Sequence, residues 1–156
     1  MDKKDETTLK IYTTNSSEFD IKDLSPGITY KYSITARNQF AESHPFISFK
    51  TTLLPNILDA EIRNVTCASF QVNWKPVPGA IDYMVQLRVK GGQILFLTSI
   101  FKNEIALRYG SVESGVEYEI TIIGKNEKTE TSALSLTKWT MLEPISGKFI
   151  IFVEIF

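Results

Sequence analysis

Apolar and polar residues alternate with period two through most of this chain. Phe70, Val72 and Trp74 share one face of a segment whose other face carries Gln71, Asn73 and Lys75. Tyr83, Val85, Leu87 and Val89 alternate with Met84, Gln86 and Arg88. Tyr118, Ile120 and Ile122 alternate with Glu119 and Thr121, and Leu134 and Leu136 with Ser135 and Thr137. Such runs suit strands that set one face on a core and wet the other. No stretch sustains a period of 3.6. Seven strands are predicted between Ile57 and Met141: Ile57–Val65, Ser69–Lys75, Tyr83–Val89, Gln93–Thr98, Glu104–Tyr109, Tyr118–Lys125 and Ala133–Thr140. Pro76-Val77-Pro78-Gly79 and Gly91-Gly92 read as turns between them. Two antiparallel sheets packed face to face can bury all these apolar faces, which one sheet could not. Before Pro55 the pattern is shorter, with strands predicted at Leu9–Thr13, Glu18–Ile21, Tyr30–Arg37 and Phe46–Thr51.

The chain also repeats itself at a distance of 88 residues. Leu24 to Asn38 aligns with Val112 to Asn126, with Gly27 on Gly115, Tyr30 on Tyr118 and Asn38 on Asn126. A period this long suits whole domains in series rather than a solenoid.

Three features together resemble the fibronectin type III family. The first is Val72-x-Trp74, followed by Pro76, Pro78-Gly79-Ala80 and Tyr83-x-Val85. The second is Gly115-x-x-Tyr118, repeated as Leu24-x-Pro26-Gly27-x-x-Tyr30. The third is the spacing from Trp74 to Tyr118. The resemblance implies an all-β fold, an antiparallel seven-stranded immunoglobulin-like β-sandwich. Residues 1–54 would be the C-terminal part of one module, 55–143 a complete module, and 144–156 a tail. Trp74, Tyr83, Tyr118 and Tyr30 are expected as structural core. Both Tyr30 and Tyr118 are expected to form a tyrosine corner, the ring packed inward and the hydroxyl bonded to backbone upstream. Trp139 is expected on an outer face. The brief junction at Pro55 and Asn56 implies a beaded rod.

Composition adds mainly exclusions. There are 17 basic and 18 acidic residues, seven of each sign before Pro55 and ten basic against eleven acidic after it. Neither part is a basic surface for nucleic acid or membrane. The single cysteine, Cys67, permits no internal disulfide and reads as a small buried apolar residue. The single histidine, His44, has no second histidine with which to share a metal. Glu117 and Glu119 share one strand face and read as solvated. No catalytic residues, cofactor site or metal site are predicted. Residues 1–8 do not resemble a signal peptide. The apolar cluster Phe149–Phe156 falls far short of the ~20 residues that span a bilayer. Asn15 (Asn15-Ser16-Ser17) and Asn64 (Asn64-Val65-Thr66) are candidate glycan acceptors.

The functional expectation is a non-enzymatic protein-binding or spacer region of a cell-surface, adhesion, receptor or matrix protein, extracellular in its parent. The expected partners are an unidentified protein and adjoining modules of the parent chain, with no nucleic acid and no membrane insertion by this segment. Pro76–Ile81 and Asn126–Ser132 are the candidate binding loops. The alternatives are an accessory region of a larger enzyme and an intracellular scaffold. The first repeat lacks counterparts of Phe70, Val72, Trp74, Tyr83 and Val85, so it reads as truncated. Beyond Pro144 the family pattern stops. One back-translation of Ser146-Gly147-Lys148-Phe149 contains a splice-donor consensus, so the tail reads as translated intron or else as an adhesive strand.

Overall fold

The structure, a computed structural model, describes residues 9–102, 104–107 and 112–144. The expected tail from residue 145 onward lies outside them, as do Arg108 and Tyr109 at the end of one expected strand.

Nine strands form three antiparallel sheets among the described residues. Strands β1 (Thr29–Ile34) and β2 (Phe46–Thr51) make a two-stranded ribbon. Strands β3 (Glu61–Arg63), β4 (Phe70–Asn73) and β7 (Glu104–Leu107) make a second sheet, ordered β3-β4-β7. The third is ordered β6-β5-β8-β9, from β5 (Asp82–Val89), β6 (Ile94–Ile100), β8 (Glu117–Lys125) and β9 (Leu134–Trp139). The second and third sheets face each other as a seven-stranded β-sandwich.

The alternation in the sequence becomes the core. Along β5 and β8 every second residue is buried, which puts Tyr83, Val85, Leu87, Tyr118, Ile120 and Ile122 against Phe70, Val72 and Trp74. Each fully buried Leu, Ile, Val or Phe side chain contributes about 1.5–3 kcal/mol relative to exposure. The Trp74 ring meets Tyr83 edge-on at 5.2 Å, and Phe70 lies 6.1 Å from Tyr118. Tyr83 pairs across the ladder with Gly124, where a Cβ would come within 3.1 Å of its ring. The Tyr83 hydroxyl accepts a hydrogen bond from the Val77 N–H at 2.7 Å, so burial of this polar tip is compensated.

Several expectations are corrected. The stretches Leu9–Thr13 and Glu18–Ile21 form no strands. Of their counterparts 88 residues on, those at 97–100 lie in β6 and those at 106–107 in β7, which hydrogen-bond to β5 and β4. Among the described residues the first repeat has no counterpart of β4 or β5 for residues 9–21 to pair with, and instead the Tyr12 and Phe19 rings pack on each other at 4.9 Å. Tyr30 is half-buried and belongs to the ribbon, not the core, because no facing sheet among the described residues covers it. The first sandwich strand shrinks from Ile57–Val65 to Glu61–Arg63, because Asp59 and Asn64 at either side adopt positive φ (53° and 50°) and break the extended backbone. Cys67 is only partly buried, in a turn where the Thr66 N–H donates to the Ser69 carbonyl.

A repeated corner and the joint between repeats

The 88-residue repeat is reproduced at the level of hydrogen bonds. The Tyr118 hydroxyl accepts from the Glu113 N–H at 2.7 Å, and the Tyr30 hydroxyl from the Ser25 N–H at 2.9 Å. Both are five-residue tyrosine corners. Gly115 and Gly27 make the bend with φ of 67° and 68°, a left-handed conformation that glycine adopts without steric cost.

The correspondence runs well past the fifteen residues visible in the sequence. Thr140 Oγ1 donates to the Glu113 carbonyl and accepts from the Val116 N–H. Thr52 Oγ1 does the same with Ser25 and Ile28. Asn126 Oδ1 accepts from the N–H groups of Lys128 and Thr129, as Asn38 Oδ1 does from Phe40 and Ala41. Thr131 Oγ1 accepts from the Gly124 N–H, and Ser43 Oγ from that of Ala36. A short polar side chain at each position lets the loop satisfy its own backbone, which is why these residue types recur there.

At one place the two copies meet. Leu54, in the short linker after β2, is buried in the core of the sandwich. Its side chain fills the space between Gly27 of the ribbon and Gly79 of the sandwich. A Cβ on Gly27 would stand 2.9 Å from Leu54 Cδ2, and one on Gly79 3.0 Å from the same atom and 2.6 Å from the Pro26 carbonyl oxygen. Asn126 Nδ2 donates to the Gly27 carbonyl at 3.1 Å and to the Gly79 carbonyl at 3.0 Å. Its amide group therefore holds its own loop through Oδ1 and ties both units through Nδ2. The two expected binding loops, Pro76–Ile81 and Asn126–Ser132, thus contribute Gly79 and Asn126 to a joint with the first repeat.

The remaining sequence candidates are dispersed. His44 is exposed beside β2. Glu117 and Glu119 are ion-paired rather than simply solvated, Glu117 with Lys90 at 2.9 Å and Glu119 with Arg88 at 2.8 Å. The Arg88 guanidinium, by hydrogen bond and charge, holds the Glu119 carboxyl below its ordinary value. Asn15 is exposed in a bend region, and Asn64 is exposed between β3 and β4, its Nδ2 donating to Gln71 Oε1 at 3.0 Å. Trp139 is exposed on the outer face of β9. Among the described residues no group of three or more His, Cys, Asp or Glu could hold a metal ion, and no helix is long and apolar enough to cross a membrane.

No family profile matches the chain. It is 28% identical over 127 residues to tenascin-R from Gallus gallus, a match covering 81% of this chain and 9% of that protein. It is 23% identical over 137 residues to the mouse receptor-type tyrosine-protein phosphatase eta, covering 86% of this chain and 11% of the relative. The chain therefore spans only about a tenth of the length of these relatives. Among solved structures, a two-domain fibronectin type III segment of chicken tenascin superposes with a TM-score of 0.63 at 22% identity, covering 73% of this chain and 66% of that one. With the Trp74 and Tyr118 motifs, both tyrosine corners and the three-plus-four-stranded sandwich on the same residues, the chain has the fold of fibronectin type III domains and resembles them in sequence.

Proposed function

We propose that this chain is a non-enzymatic spacer and protein-binding region of a cell-surface, adhesion, receptor or matrix protein. In this reading residues 1–54 are the C-terminal part of one module and residues 55–143 a complete one. The observation that carries it is the joint: Leu54 plugged between Gly27 and Gly79, with Asn126 bridging both carbonyls. A spacer must hold one unit in a fixed direction from the next, and a buried linker side chain with two cross-unit hydrogen bonds supplies that. Similarity to the tenascins, which are extracellular matrix proteins, supports an extracellular setting.

NMR relaxation of the ribbon and sandwich amides tests the spacer. Both should report one common tumbling time, and Asn126→Ala should separate them. Independent tumbling in the unaltered chain would overturn the reading. The extracellular setting has its own test at Asn64. A glycan on Nδ2 leaves one hydrogen for Gln71, so the exposed bond can persist. The chain secreted from a eukaryotic cell behind a grafted signal peptide should lose mass on glycosidase treatment, and an unchanged mass counts against this setting.

The identity with the receptor phosphatase favours a second reading, an accessory region of a larger enzyme. A catalytic domain encoded on the same transcript would decide for it.

A further inference from the structure

The half of the joint that the ribbon offers to the sandwich is present a second time, at the far end of the sandwich. Leu142 stands 88 residues after Leu54, and Gly115 the same distance after Gly27. In both places the leucine lies over the glycine: a Cβ on Gly115 would come within 2.6 Å of Leu142 Cδ2, as one on Gly27 would come within 2.9 Å of Leu54 Cδ2. The threonine hydroxyl bonds that hold the leucine-bearing strand end against the bend are also the same. Coverage differs. Leu54 is 5% exposed and Leu142 79%, because Gly79 and Asn126 lie over the first pair and nothing described lies over the second. The linker sequence recurs as well. Thr52-Leu-Leu-Pro-Asn-Ile57 has as its counterpart Thr140-Met-Leu-Glu-Pro-Ile145. In the first of these, Ile57 enters the core of the sandwich.

We propose that Gly115 and Leu142 form a second socket of the same kind. Its occupant is a fibronectin type III module joined in tandem through Ile145. Such a module would set a glycine turn, like that at Gly79, on Leu142 and an asparagine amide, like that of Asn126, on the Gly115 carbonyl. A side chain at the glycine position of that turn would collide with the bend, as a Cβ on Gly79 does with the Pro26 carbonyl. The socket thus selects modules by a glycine and an amide rather than by bulk hydrophobicity. This inference rests on the spacer reading above.

The test is methyl NMR with a soluble paramagnetic probe, on the full chain and on a chain in which residues 145–156 are replaced by a second copy of residues 57–144. Leu54 methyls should be shielded in both chains, and their exposure in the unextended chain would defeat the spacer reading itself. Leu142 methyls of the first copy should be strongly broadened in the unextended chain and fall to the level of Leu54 in the extended one. Gly79→Val with Asn126→Ala, made in the appended copy alone, should restore the broadening. Leu142 still broadened in the extended chain, with Leu54 shielded, overturns the socket. Shielding of Leu142 that appears in the unextended chain and grows with its concentration overturns the tandem occupant in favour of a second chain.

Discussion

Residues 24–54 and 112–142 carry the same hydrogen-bonded skeleton and differ in what lies opposite them. Tyr118 is 1% exposed under Phe70, while Tyr30 makes the same corner half-buried in a two-stranded ribbon. Around the leucine the contrast reverses, with Leu54 covered and Leu142 bare. Hydrogen-bond geometry in these corners is thus set locally, by a glycine, a tyrosine and a threonine at fixed spacing. Burial is set by whichever surface arrives from elsewhere in the chain. The stability contributed by each copy should follow burial, not the shared skeleton.

The largest expected effect is at Trp74, whose ring is buried in the sandwich core against Tyr83 and has no counterpart over the ribbon among the described residues. Trp74→Ala should cost about 3–5 kcal/mol in denaturant unfolding, as large core truncations do. A loss comparable to a surface substitution would show that coverage does not come from this ring. Next comes the leucine pair. Leu54→Ala should cost about 2–5 kcal/mol, and Leu142→Ala should stay within about 0.5 kcal/mol. Equal losses would break the comparison, because the two leucines sit over their glycines alike and differ only in coverage. The corners give a smaller effect. Tyr118→Phe leaves the Glu113 N–H without its acceptor in a part-buried site, at a cost of about 1–3 kcal/mol. Tyr30→Phe should cost less, since water can reach the exposed Ser25 N–H.

The smallest effect is a pH dependence. Glu119 pairs with Arg88 on the outer side of β8, and its carboxyl is held below the ordinary value. A carboxylate depressed in the folded state stabilises the fold above its unfolded pKa, and that contribution is lost as pH falls through the folded value. Stability should therefore decline slightly on acidification through the carboxylate range. Arg88→Gln should flatten that part of the profile, and an unchanged slope would show the pair to be inert.

Most of the sandwich is legible in the sequence because period-two burial and strand pairing reinforce each other there. The alternation at Tyr83–Val89 and Tyr118–Lys125 maps onto β5 and β8, with each strand starting one residue earlier. The same alternation misleads at Leu9–Thr13, since a strand needs an edge to pair with and period alone does not provide one. The joint was not legible. Asn126 bonds to a carbonyl 99 residues away, and the sequence around it differs little in kind from that around Asn38. One signal did exist: carrying the 88-residue alignment on from Asn126 would have paired Thr52 with Thr140 and Leu54 with Leu142.

The carboxamide of Asn126 does two jobs with its two ends, and slow chemistry can divide them. Hydrolysis of that amide to a carboxylate keeps an oxygen to receive the Lys128 and Thr129 N–H groups and removes every hydrogen offered to Gly27 and Gly79. The loop would keep its shape, while a negative charge would now face two carbonyl oxygens across the joint. Age would then be recorded in this protein as a loosened angle between units that are each still folded, and Asn126→Asp is the same lesion made at once.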